Sequence, residues 1–124
     1  MLKEKEEKKV KNLNQDFAMA TGTENYYKHC TGNHFTDGVK MMAEKYKAYW
    51  LIDVVMSYQY GKIRKVPFQI WEIVTTDSFR ATVEMKEDTD QPILVSQKIP
   101  YTDFPEGIFK MYYIDNVLLL PSEY

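Results

Sequence analysis

A chain of 124 residues with 44% hydrophobic and 27% charged side chains can bury one core but is too short for two ordinary domains. Its longest apolar runs, such as residues 49–52 and 117–120, fall far below the roughly 20 residues that cross a bilayer, so no helical membrane span is expected. A single cysteine, Cys30, excludes an intrachain disulfide, and the net charge of -2 divides unevenly: residues 1–65 hold 12 Lys and Arg against 8 Asp and Glu, residues 66–124 hold 4 against 10.

Taken from the N-terminus, residues 1–16 mix Lys and Glu with almost nothing apolar and read as a flexible charged arm. Residues 17–124 read as one α+β domain. No apolar leader with a small-residue cleavage site follows Met1, which makes the cytoplasm the expected compartment. Thr21-Gly-Thr-Glu24 has capping-box spacing and predicts a short helix through Cys30, ended by Gly32. Thr36-Asp37 offers a second N-cap, and Val39, Met42, Ala43 and Tyr46 recur at i, i+3, i+4, i+7, the spacing of one helical face. That pattern continues through Trp50, Val54 and Tyr58, with a bend expected at Lys47-Ala48.

After Gly61 the period changes to two. Phe79, Ala81, Val83 and Met85 alternate with Arg80, Thr82, Glu84 and Lys86, the pattern of a strand with one buried face. Residues 66–74 and 93–99 predict flanking strands, joined to it by polar links short enough for antiparallel hairpins. Residues 108–114 predict a fourth strand, Asp115-Asn116 a two-residue turn, and residues 117–120 a short buried strand stopped by Pro121. The expected fold is therefore α+β, with N-terminal helices packed on one face of an antiparallel meander of about five strands.

Several blocks stand out in order: Thr21-Gly-Thr-Glu-Asn-Tyr-Tyr, Phe35-Thr-Asp-Gly-Val-Lys, Ala48-Tyr-Trp-Leu-Ile-Asp, Phe68-Gln-Ile-Trp, Tyr101-Thr-Asp-Phe-Pro and Leu118-Leu-Leu-Pro-Ser-Glu-Tyr. Over residues 21–124 the chain resembles a family of small uncharacterised proteins, a domain of unknown function, from bacteria, plasmids and phages. The resemblance carries no assigned catalytic or binding residues. It implies cargo of a mobile element in a bacterial host cell, and among such cargo are the anti-CRISPR proteins, including one acting on a type VI-B RNA-guided RNase.

Among candidate chemistries, His29, Cys30, His34 and Asp37 are the densest group of possible metal ligands. The adjacent His29 and Cys30 are expected to point apart, which argues against a shared metal and against His29 as the base of a Cys30 nucleophile. Asp88 and Asp90 lie in an expected hairpin turn. With neither a phosphate-binding Gly-rich loop nor a nucleophile elbow, no catalytic residue, metal or cofactor is assigned and an enzyme is not expected.

The surface candidates are Tyr58, Tyr60, Lys62, Arg64 and Lys65, where cations interleave with aromatics at a helix-to-strand junction. Such a segment can meet phosphates and bases, or can be a solvated basic loop. Tyr112 and Tyr113 join them as partner-binding candidates, because one of two neighbouring strand residues must face away from the core. The expected function is a non-enzymatic inhibitor or regulator that blocks a CRISPR effector nuclease or its guide-RNA complex, RNA being met through that partner. The alternative is a small RNA-binding regulatory protein using residues 58–65. Oligomeric state stays open, since a strand edge can add across a dimer.

Overall fold

The computed structural model describes residues 11–76 and 79–124; residues 1–10 of the arm expected over residues 1–16 lie outside them. A short 3-10 turn, Leu13–Phe17, buries Leu13 and Phe17 and spans the boundary drawn at residue 16. Two three-residue strands follow, β1 (Tyr26–Lys28) and β2 (His34–Thr36), then two short helices, α1 (Asp37–Lys45) and α2 (Tyr49–Ser57). Five more strands complete the chain: β3 (Phe68–Thr75), β4 (Ala81–Lys86), β5 (Ile93–Ile99), β6 (Gly107–Ile114) and β7 (Val117–Leu119). They form one seven-stranded sheet in the order β1-β2-β7-β6-β3-β4-β5.

This corrects the expected architecture in two ways. The helix expected from Thr21 to Cys30 does not form: the N–H groups of Glu24 and Asn25 donate to Asp37 Oδ2, at 3.2 and 3.0 Å, and residues 26–28 pair with β2. Gly32, at φ 97°, makes the intervening turn, and the Tyr27 and Phe35 rings stack at 5.7 Å. The Asp37 carboxylate thus satisfies the Glu24 N–H that a capping box would have used, along with its neighbour Asn25 N–H.

Second, the sheet is mixed and is not a meander. β3 pairs with β4, and β4 with β5, as the short links require, but β6 returns beside β3, and β2 runs parallel to β7. The physical reason lies in the inward faces. Placing β6 against β3 sets Met111 beside Trp71 and Phe109 beside Ile73, all at most 1% exposed. Strand β5, whose Ser96 and Lys98 are exposed, is left as an edge. The alternation read in β4 holds for Ala81, Val83 and Met85, which are buried, whereas Phe79 lies exposed before the strand.

Other local expectations are met. Thr36 caps α1 by accepting from the Val39 N–H at 3.4 Å, and Val39, Met42 and Ala43 are fully buried. The bend falls at Lys47, with φ 54°, and Asp115-Asn116 turns β6 into β7 with both residues at positive φ. The core joins the helices to the sheet: Leu51, Ile52, Val55 and Met56 of α2 belong to the same buried cluster as Trp71, Val83, Met85 and Phe109.

The C-terminal turn, Pro121–Glu123, is tied to the start of α1. The Glu123 carboxylate accepts from the Thr36 hydroxyl at 2.6 Å, the Gly38 N–H at 3.0 Å, the Leu120 N–H at 2.9 Å and the Thr23 hydroxyl at 3.3 Å. A negative group at a helix N-terminus also complements the helix dipole. A Cβ at position 38 would lie 2.7 Å from Glu123 Oε1, so any larger residue there forces the Glu123 side chain to move from its bonds.

Candidate functional site

The cationic segment forms where α2 ends. Tyr58–Tyr60 and Lys62–Lys65 are consecutive 3-10 turns separated by Gly61. Lys62, Arg64 and Lys65 are exposed and make no ion pair with any described residue. Tyr60 is 70% exposed. Tyr58 lies half-buried, its ring 5.6 Å from that of Trp71 and its hydroxyl donating to Gln97 Oε1 at 2.8 Å.

Beneath this segment lies a buried pair of glutamines that the sequence reading missed. Gln69 Nε2 donates to the carbonyls of Ile63, at 2.9 Å, and Val66, at 3.2 Å, and to Gln59 Oε1 at 3.1 Å. In return Gln69 Oε1 accepts from Gln59 Nε2 at 2.9 Å and from the Trp71 indole at 2.8 Å. Every amide function of Gln69 is thereby used, which fixes the carbonyls of the basic turn against the sheet. One clue was available: Gln69 is in phase with Trp71 and Ile73, so a period of two turns this polar side chain inward.

The basic turn borders a groove of about 570 Å³, shared by Ser57, Tyr58, Gly61, Lys62, Ile63, Leu94, Val95 and Ser96. Its far wall is the edge strand β5, where Ile93 is 49% and Leu94 44% exposed. The structure thus brings Tyr58 and Lys62 together with a sheet edge that the linear sequence gave no reason to join to them.

The two tyrosines of β6 separate. Tyr113 turns into the core, where burial pushes its phenol above the ordinary range; its hydroxyl accepts from the Asn33 amide. Tyr112 faces the other side, half-buried, its ring 5.0 Å from Phe68 and 5.6 Å from Tyr124. It continues an outer-face strip that begins three residues after Lys65.

His29 and Cys30 are closer than the sequence reading supposed. Cys30 Sγ lies 3.8 Å from His29 Nδ1, and His29 Nε2 lies 2.6 Å from Asp53 Oδ1, so the earlier objection from direction fails. The Nδ1 position is nevertheless already engaged by the Thr31 N–H at 3.2 Å and the Thr31 hydroxyl at 2.8 Å. The trio therefore acts as a lock on the β1–β2 turn. Asp37 serves elsewhere: it accepts from the Tyr27 hydroxyl at 2.8 Å, a bond that holds its carboxyl below the usual range and the phenol above its own. Among the described residues, no three His, Cys, Asp or Glu side chains are grouped to hold a metal. Asp88 takes its turn role, accepting from the Thr89 N–H at 2.7 Å.

Fold and surface together define a small mixed-sheet α/β protein with a hydrogen-bonded basic turn beside an open sheet edge. The chain belongs to the family described as "Family of unknown function (DUF6876)", which matches residues 11–124. Comparison with curated proteins and with solved structures gives no significant match. No helix among the described residues is long and apolar enough to cross a membrane.

Proposed function

We propose that this chain is a non-enzymatic binding protein that docks on a protein partner through the groove between the basic turn and β5. The observation that carries the reading is the juxtaposition itself: three exposed cations, without an ion pair among the described residues, on a turn clamped by Gln69 and next to an edge strand with exposed Ile93 and Leu94. An edge strand offers a row of main-chain donors and acceptors to an extended partner segment, with side-chain pockets supplying specificity. The cations select a segment flanked by acidic or phosphate groups and steer its approach. Because the clamped turn is already ordered, little conformational entropy is lost on docking.

The partner class follows from the resemblance to mobile-element proteins: a CRISPR effector nuclease, with the type VI-B RNA-guided RNase first in line, held in a blocked state in the host cytoplasm. Gel filtration of the pure protein with such effectors, with and without guide RNA, is expected to give co-elution with one of them. Absence of co-elution with every effector tested overturns the reading.

A second reading, direct RNA binding, is favoured by the same exposed Lys62, Arg64 and Lys65. It predicts filter retention of RNA that falls steeply with salt and is flattened by replacing the three cations with alanine.

A further inference from the structure

At the other end of β5 lies a second groove, which takes no part in the docking surface above. It has a volume of about 540 Å³, within the range of small-molecule sites, and is lined in part by Lys45, Lys47, Trp50, Tyr101, Asp103 and Phe104. Two residues at this end of the molecule hold a backbone conformation that costs energy. Lys47 has φ 54° and Phe79 has φ 62°, the left-handed region that side chains with a Cβ seldom occupy. Such strain persists where surrounding structure enforces it, and it gathers at ligand sites.

In both cases the enforcing contacts are visible. Lys47 sits between α1 and α2, where the Tyr46 N–H donates to the Met42 carbonyl at 2.9 Å and the Ala48 N–H to that of Ala43 at 2.8 Å. Ala48 itself is fully buried. Glycine would make this bend without strain, yet the chain places a cation there, on the rim of the groove. Phe79 accepts from the Thr102 N–H at 2.9 Å and sets its ring 5.8 Å from that of Tyr101, with 34° between the planes. Tyr101 is 69% exposed, so an aromatic face held by a neighbouring ring is presented to solvent.

Aromatic faces, two cations and one carboxylate are the functions a nucleotide uses: a base to stack, a phosphate to neutralise and an amino edge to donate. We propose that this groove binds a nucleotide whose base carries an exocyclic amino group, either free or within a single strand. The base stacks on Tyr101, its amino edge donates to Asp103, and the phosphate is met by Lys47, joined by Lys45 when its ammonium leaves the Phe17 ring 5.7 Å away. The carboxylate, which would repel a bare phosphate, thereby selects adenine, guanine or cytosine over uracil.

The test is calorimetric titration of the full chain with AMP, GMP, CMP and UMP, and with single-stranded RNA and DNA oligonucleotides. The oligonucleotide arms use the chain in which Lys62, Arg64 and Lys65 are alanine, so that the basic turn does not contribute. Binding of an amino-bearing mononucleotide, with UMP roughly tenfold weaker, is expected, as is a roughly tenfold loss in Tyr101→Ala, the scale of one base–aromatic stack. Lys47→Gly is expected to weaken binding while raising the melting temperature, which separates a functional residue from a merely structural one. Much tighter binding of an oligonucleotide, with the same sensitivity to Tyr101→Ala, identifies a strand as the ligand; equal affinity identifies a free nucleotide. No heat from any ligand at millimolar concentration overturns the proposal, as does binding unchanged in both Tyr101→Ala and Lys47→Gly. Discrimination against UMP that survives Asp103→Asn overturns the assignment of the base edge.

Discussion

The first edge of the sheet is a three-residue strand, Tyr26–Lys28, tied down by carboxylates: Asp37 takes the Tyr27 hydroxyl and two backbone N–H groups, and Glu123 takes four donors from around α1. The opposite edge, Ile93–Ile99, is a seven-residue strand with exposed Ile93 and Leu94 and cations across a groove. Natural sheets usually protect long edges, with lysines, prolines or covering segments. Here Pro92 and Pro100 bracket β5, and Lys98 points outward, but its middle stays open. The contrast separates two tasks: at the β1 end half-buried carboxylates tie the strand to α1, whereas the β5 end, resting on the buried Gln59–Gln69 pair, leaves the surface to which docking is assigned in the proposal.

Breaking the locked end gives the largest expected effect. Glu123→Ala removes one acceptor from four donors and is expected to cost about 3 kcal/mol, read by urea unfolding, while leaving partner binding unchanged. Gln69→Leu comes next. It strips the Ile63 and Val66 carbonyls and the Trp71 indole of their partner, at about 2 kcal/mol, and also weakens partner binding because the basic turn loses its anchor.

Acid sharpens the comparison by acting on Asp37 at the locked end, and also on Asp16 in the Leu13–Phe17 turn. Hydrogen bonds from Tyr27 and Tyr46 hold Asp37 and Asp16 below the ordinary carboxylate range. Their contribution is complete above about pH 4 and is lost as pH falls through the lowered folded values, so Asp37→Asn should flatten the acid limb of a stability–pH curve. At the alkaline end the sign reverses. Burial raises the phenols of Tyr46 and Tyr113, so stability should decline as pH climbs above about 10. The smallest change in stability belongs to the open end: alanine at Lys62, Arg64 and Lys65 together should move unfolding by less than about 0.5 kcal/mol and yet abolish partner binding.

What could be read from the sequence was local. The Thr36 cap, the alternation through Ala81, Val83 and Met85, and the Asp115-Asn116 turn are each set by neighbours within a few residues, and each is present. What could not be read was who pairs with whom. The short polar link before Ile93 fixes β4 against β5, but nothing in residues 107–114 states that their partner is β3, because that choice depends on matching Phe109 and Met111 to Ile73 and Trp71. Strands β1 and β2 are too short to display a period, and their pairing relies on Asp37 satisfying Glu24 and Asn25 from outside.

The candidate site divides in the same way. Its composition, Tyr58 to Lys65, is visible in the chain, as is the opposite facing of Tyr112 and Tyr113. Its position beside a sheet edge is not, since an edge exists only once the strand order is known. Gln69 occupies the middle ground: its inward phase was legible, whereas the carbonyls it would meet were not.

The most direct test is hydrogen exchange of the pure protein alone and mixed with the guide-RNA-loaded effector proposed as its partner. The account predicts new protection confined to residues 58–66 and 93–99, with residues 26–38 unchanged. Protection that appears over residues 26–38 while 93–99 exchange as freely as before would contradict it.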